Sequence, residues 1–182
     1  DWRVAYNAAR DLIETRLRGS SEVAAASLPY FFETGQSLLA NLSNEVNLED
    51  SESIQLKLKN SIASINYFNE IYVFNEKGDL ISSFPNNGLD QHKLSIEEET
   101  GINLSLTGVN SQIYTTFPTT GKNSAQVTFI NSIMNDQGNY RGVIIGRSDF
   151  ESNPYVQPVL SSINIFEDDG GESLILDEQN RI

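Results

Sequence analysis

Arg147 and Asp149, in the run GRSDF, are the side chains whose types and spacing are best suited to binding a charged small molecule. Side chains two apart along a strand share a face, so this guanidinium and carboxylate point the same way. A carboxylate in that position can bind a ligand in a pocket, answer the neighbouring Arg147, or cap a following helix. Tyr114 and Thr116 share a face of an earlier predicted strand, and Asn131 sits on the strand after it. Each can offer a polar group to a small pocket, as sites that bind small molecules need only a few polar residues among apolar ones. The candidate ligand-binding set is therefore Asp149, Arg147, Tyr114, Thr116 and Asn131.

Other chemistry finds little support. His92 is the sole histidine, placed in a predicted loop, and there is no cysteine. A zinc site or a catalytic triad cannot be assembled from these residues, and no disulfide framework exists. The acidic clusters at Glu49, Asp50 and Glu52, at Glu97 to Glu99, and at Glu167 to Asp169 lack the alternating ligands and turn of a calcium loop, so they are expected to be solvated faces. The glycines are scattered, with no phosphate-cradling loop. No catalytic residue, no metal and no cofactor is expected, and this stretch of protein is not expected to be an enzyme.

The balance of charge narrows the partners. With 25 acidic against 12 basic residues the formal net charge is −13, which repels a phosphate backbone or an anionic lipid surface. Nucleic-acid binding is excluded on that ground. At 182 residues and 38% hydrophobic content the chain can bury a real core. No apolar run approaches the roughly 20 residues that cross a bilayer. The chain opens inside a helical pattern and stops just after a strand-and-turn signal, so both ends read as cut.

The elements that must position the candidates follow from periodicity. Trp2, Ala5, Ala9, Leu12, Ile13 and Leu17, then Val23, Leu28, Phe31 and Phe32, then Leu38, Leu39, Leu42 and Val46 recur at helical spacing. They predict one long amphipathic helix, kinked or divided at Pro29 because proline lacks the N–H for the helical ladder. Asp50, Ser51 and Ser53 can cap a second helix through Ile54, Leu58, Ile62 and Ile65, running to about Asn66. Residues 71–74 and 80–84 form a predicted hairpin around Gly78. Ser95 and Glu98 have capping-box spacing for a short helical turn from Ile96 to Gly101. Residues 112–117, 125–134 and 143–150 complete five strands, mostly antiparallel because their links are short. Val156, Val159, Leu160 and Ile163 suggest a helical connector. The sequence SLILDEQNRI then echoes YVFNEKGDLI, as though a second, similar lobe begins there.

The hairpin I-Y-V-F-x-x-x-G-x-L-I, the helical crossover and the closing strand G-V-I-I-G-R-S-D-F, behind a long leading helix, resemble the membrane-distal lobe of extracytoplasmic double Cache (PAS-like) sensor domains of bacterial transmembrane receptors. Ile71, Val73 and Phe74 match core positions of that family, Gly78 and Gly142 match turns, and Asp149 matches a frequent acidic residue closing the last strand. The resemblance implies an α+β fold with the long helix packed on a PAS-like five-stranded antiparallel sheet. It divides the chain into a stalk helix at 1–46, a sensor lobe at 47–150, and at 151–182 a connector with the start of a truncated second lobe.

The same resemblance implies a ligand-sensing domain outside the cytoplasm, anchored through flanking membrane segments, in a receptor such as a sensor histidine kinase. The alternative is a ligand-free interaction or dimerisation module of a chemoreceptor or diguanylate cyclase. The expected partners are a small-molecule ligand and, through Leu12, Ile13 and Leu17 of the leading helix, a second copy of the chain. In the amine-sensing branch the closing aspartate pairs with the ligand ammonium, a role open to Asp149. The branch's upstream Arg-x-x-Trp-Tyr cluster has no counterpart, because the sole tryptophan is Trp2 and residues 88–110 contain no arginine. That departure argues against an α-amino acid as the ligand.

Overall fold

The computed structural model describes residues 2–86, 94–116, 125–164 and 175–176. His92, the turn at 118–123, the acid-rich run at 167–169 and most of the proposed second-lobe hairpin lie outside the described residues. The chain divides into two compact units, Phe32–Pro154 and a smaller one formed by Asp1–Phe31 with Tyr155–Ile182.

The larger unit is built on five antiparallel strands: β1 (Glu70–Asn75), β2 (Leu80–Phe84), β3 (Ser111–Thr116), β4 (Gln126–Met134) and β5 (Tyr140–Asp149). They lie in the order β2-β1-β5-β4-β3, so β5 is central and β2 and β3 are the edges. Two hairpins share one loop design. Asn75 accepts hydrogen bonds on Oδ1 from the backbone N–H groups of Lys77 and Asp79, both at 2.9 Å. Asn135 does the same for Gln137 at 3.0 Å and Asn139 at 2.9 Å. Each loop places a glycine at positive φ, Gly78 at 82° and Gly138 at 77°, where a side chain would be strained. Each is also followed or preceded by a register shift, at Val73/Phe74 and at Ile133/Met134.

One sheet face carries the helix α1 (Trp2–Glu45), whose last turns pack on β4 and β5 through Gly35 against Phe129 and Leu39 against Gly146, and α2 (Ser51–Ile65), which packs on β2. Asp50 caps α2 by accepting from the Ser53 N–H at 3.1 Å, and Asn66 closes it in the left-handed region at φ 48°. The close fit of α1 depends on Gly35: a Cβ there would lie 2.5 Å from the Phe129 ring and 2.7 Å from the Tyr67 hydroxyl. Tyr67, Phe68 and Phe129 stack edge to face beneath it, with centroids 4.9 to 5.8 Å apart. The opposite face carries α3 (Ile96–Leu106) over a core of Tyr72, Phe74, Ile102, Ile130, Val143 and Ile145. Here α3 runs past Gly101, where the expected turn ended, because Gly101, Ile102 and Ser105 continue the buried stripe begun at Glu98.

In the smaller unit the helical ladder passes both Gly19 and Pro29 without a break. The expected division at Pro29 does not occur. A proline removes one ladder hydrogen bond, while a 44-residue helix gains one for each residue fixed, so propagation carries past it. The expected apolar stripe is largely uncovered: Trp2 is 74% exposed, and Leu12, Ile13, Leu17 and Val23 are exposed as well. Ala24, Phe31, Val156 and Val159 are buried, the last of these on the short α4 (Gln157–Ile163).

Candidate functional site

Arg147 lies on the central strand, with β1 on one side and β4 on the other, pointing into the α3 face. Its side chain is 2% exposed. Buried guanidinium groups need partners at fixed geometry, and the fold supplies them from two elements. From α3, Glu98 accepts Nε on Oε1 and Nη2 on Oε2, both at 2.6 Å, the side-on bidentate arrangement of an arginine with a carboxylate. From β1, Glu70 accepts Nη1 at 2.9 Å, and the Tyr72 hydroxyl lies 3.3 Å from the same nitrogen. The guanidinium carbon also sits 4.8 Å from the centre of the Tyr72 ring.

Glu98 reaches Arg147 because of how α3 begins. Ser95 accepts the Glu98 N–H at 3.1 Å, and Glu98 accepts the Ser95 N–H on Oε2 at 2.8 Å, completing the capping box. That turns the carboxylate back towards the sheet, where Oε1 also accepts the Thr128 hydroxyl at 3.0 Å. Glu98 is fully buried. Thr128 lies 3.1 Å from Thr116, so a polar chain runs from β3 through β4 and α3 to Arg147, Glu70 and Tyr72. Burial pushes the Tyr72 phenol well above its usual range. For Arg147 burial works against the charge, but the hydrogen bonds and charge of Glu98 outweigh it, and the guanidinium is held above its usual value.

The structure thus gathers four of the five candidate residues on one face. Thr116 and Arg147 belong to the polar chain. Tyr114 donates to Gln112 at 2.6 Å, and Gln112 in turn holds α3 through the Gly101 carbonyl at 2.9 Å and Ser105 at 3.1 Å. Asp149 lies one step beyond Arg147 on the same face, 9% exposed, its N–H donating to Asn69 at 2.7 Å. Asn131 is on the other face, where its amide donates to Ser43 of α1 at 2.8 Å. The alternation that joins Tyr114 to Thr116 also carries this odd-numbered β4 position away from them.

Glu98 is the residue that the sequence reading misplaced. Glu97 to Glu99 were expected to form a solvated face, and Glu99 is exposed, but Glu98 is the charged centre of the cluster. Its position three residues after the cap, on one stripe with Gly101, Ile102 and Ser105, is the signal that marks it as inward-facing. Glu70, Tyr72, Thr128 and Gln112 are further members not singled out by spacing. Elsewhere a cleft of about 440 Å³ lies between α1 and α2, lined by Asn41, Lys57, Asn60 and Ser64 among others, and one of about 430 Å³ lies beside Arg141 and Asn135. Neither touches Arg147. Among the described residues no group of acidic or histidine side chains is placed to hold a metal, and no helix is long and apolar enough to cross a membrane.

No protein-family model matches the chain, and no curated protein matches it. Solved structures do. The ligand-binding domain of the Pseudomonas aeruginosa PAO1 amino acid chemoreceptor PctC, in complex with GABA, aligns with a TM-score of 0.59 at 15% identity over 88% of this chain and 66% of that one. The ligand-binding domain of the Campylobacter jejuni chemoreceptor Tlp3, in complex with L-valine, aligns with a TM-score of 0.57 at 17% identity over 82% and 65%. The Escherichia coli DcuS sensor domain aligns with a TM-score of 0.56 at 12% identity over 76% of this chain and 98% of that domain. At these identities the similarity is one of fold. The chain has the Cache-like α+β fold of these sensor domains, and it spans just under two thirds of the length of the two chemoreceptor domains.

Proposed function

We propose that this chain is a sensing module that lies outside the cytoplasm, in a membrane-bound signalling receptor of the sensor histidine kinase type, and that it is not itself an enzyme. It corresponds to the membrane-distal lobe of a double Cache domain. The reading is carried by one observation: the fold, a long helix and a β2-β1-β5-β4-β3 sheet roofed by α3, is similar overall to that of domains whose solved structures hold GABA or L-valine. Fold alone does not make function, so the reading also leans on the charged groups assembled on the α3 face. Asp149, at the end of β5, is the residue proposed to meet a ligand cation. Signalling requires that the ligand favour one arrangement of helices over another, since equal affinity for both shifts nothing.

The test is a thermal-shift screen of amines, amino acids and small metabolites against the wild-type chain and Asp149→Asn. A ligand that raises the melting temperature of the wild type but not of the variant is the expected result, because binding to the native state stabilises it by mass action. A ligand that shifts both equally removes Asp149 from the site, and the absence of any shift removes the sensing reading.

A second reading is an interaction or dimerisation module of a chemoreceptor or diguanylate cyclase. It is favoured by the apolar side chains that α1 leaves uncovered at Leu12, Ile13 and Leu17. Sedimentation of the wild type against Leu12→Asp with Leu17→Asp decides it: loss of a dimer in the variant supports it, and a monomeric wild type ends it.

A further inference from the structure

Beneath α3, Glu98 and Arg147 meet sealed from water, beside the apolar core of Ile102, Ile130 and Ile145. Ion pairs buried in such surroundings add little stability relative to apolar packing, so their retention asks for another reason. The geometry offers one. Glu98 engages Arg147 side-on through Nε and Nη2, the edge with which an arginine takes a free carboxylate, while Nη1 is left to Glu70 and Tyr72. The remaining donors to the Glu98 oxygens, the Thr128 hydroxyl and the Ser95 N–H, complete a four-donor cradle around one carboxylate.

We propose that Arg147, Thr128 and the Ser95 N–H form a carboxylate-recognition site whose occupant is built into the chain: Glu98 fills it as a tethered ligand and thereby fastens α3 to the sheet. The proposal deepens the sensing reading and rests on it for a role in signalling, while its chemistry rests on the contacts above. A tethered group presents an effective concentration of at least the mM range, and Glu98 is further oriented by its own capping box, so a free carboxylate at ~1 mM competes poorly. The wild-type lobe therefore takes no free carboxylate at Arg147, and a ligand sensed on this face is recognised through other groups.

Deleting the occupant exposes the site. In Glu98→Ala the cradle is left with a carboxylate-sized vacancy, and in Glu98→Gln the shape is kept while the charge is lost. The probes are sodium acetate and sodium propionate at about 100 mM, against sodium chloride at equal ionic strength. For a site of Kd on the order of 10 mM, the expected result is that acetate or propionate raises the Tm of Glu98→Ala by about 3 to 6 °C over chloride. Wild type and Glu98→Gln should show no such difference. Hydrogen exchange should show the amides of α3 less protected in Glu98→Ala and reprotected by acetate, a change that general salt effects do not produce.

Should Glu98→Ala fail to fold in chloride, refolding yield becomes the measurement. Recovery in acetate alone supports the proposal, and equal failure in both salts overturns it. Equal stabilisation of wild type and Glu98→Ala by acetate, or none in a folded Glu98→Ala, also overturns it. An amine that stabilises the wild type bears on the sensing reading and leaves this result untouched.

Discussion

Arg147→Met replaces the cation by an apolar side chain of similar length and leaves Glu98, fully buried, with no positive partner among the contacts that hold it. Removing one member of a buried ionic pair costs about 3–5 kcal/mol, because the remaining charge stays desolvated. Against a stability of roughly 5–15 kcal/mol for a domain, that is a large fraction. For a chain of this size each kcal/mol lowers Tm by about 2–4 °C, so the fall should be roughly 6–20 °C. Far-UV circular dichroism in urea is the suitable assay, since the only tryptophan, Trp2, is exposed at the start of α1 and remote in sequence from the cluster. Adding Glu98→Gln to Arg147→Met should recover part of the loss, because Glu70, with its side chain 25% exposed, can turn to water while Glu98 cannot. A single variant within about 1 kcal/mol of wild type, or a double variant no more stable than Arg147→Met, would refute the account of the cluster as one charged unit.

Gly35→Ala drives a methyl into the Phe129 ring and the Tyr67 hydroxyl, and should cost about 1–3 kcal/mol by overpacking, read as a lower urea midpoint. Ser95→Ala removes half of the capping box and should cost about 1 kcal/mol, with faster hydrogen exchange in the first turn of α3 as its second readout. Burial raises the phenols of Tyr72, Tyr114 and Tyr140 above the usual value. A phenol whose folded pKa is raised contributes stability that is complete below its unfolded value of about 10 and is lost as pH climbs towards the folded value. Urea midpoints should therefore fall above about pH 10, with Tyr72→Phe flattening the decline; a midpoint that is level from pH 9 to 11 contradicts it.

The elements were legible because their signals are local. Asn75 with Gly78, and the run of β-branched and aromatic residues before them, specify a hairpin without reference to the rest of the chain, and the same holds for Ser95 and Glu98 as a helix start. The direction of Glu98 was legible only from its cap spacing and its stripe with Gly101, Ile102 and Ser105, and its partner was not, since nothing local to a run of three glutamates points to a buried arginine on a distant strand. Asn131 fails for the opposite reason: its strand was found, but which face it served depended on the register of β4 against both neighbours. In α1 the apolar period was real, yet a helical stripe says that a face can be covered, not that it is covered within one chain.

The sheet order has a further consequence for cooperativity. The strands β1 and β2 zip through a tight loop, as do β4 and β5, but β1 and β5 meet only after the whole crossover has been laid down, with Phe74 opposite Val143 and Glu70 opposite Arg147. The middle of the sheet is thus a seam between two locally formed halves, and closing it carries the greatest loop entropy in the lobe. Arg147 sits on that seam, bound across it to Glu70 and over it to Glu98, so a single side chain acts as the bolt that makes two hairpins and a helix melt together.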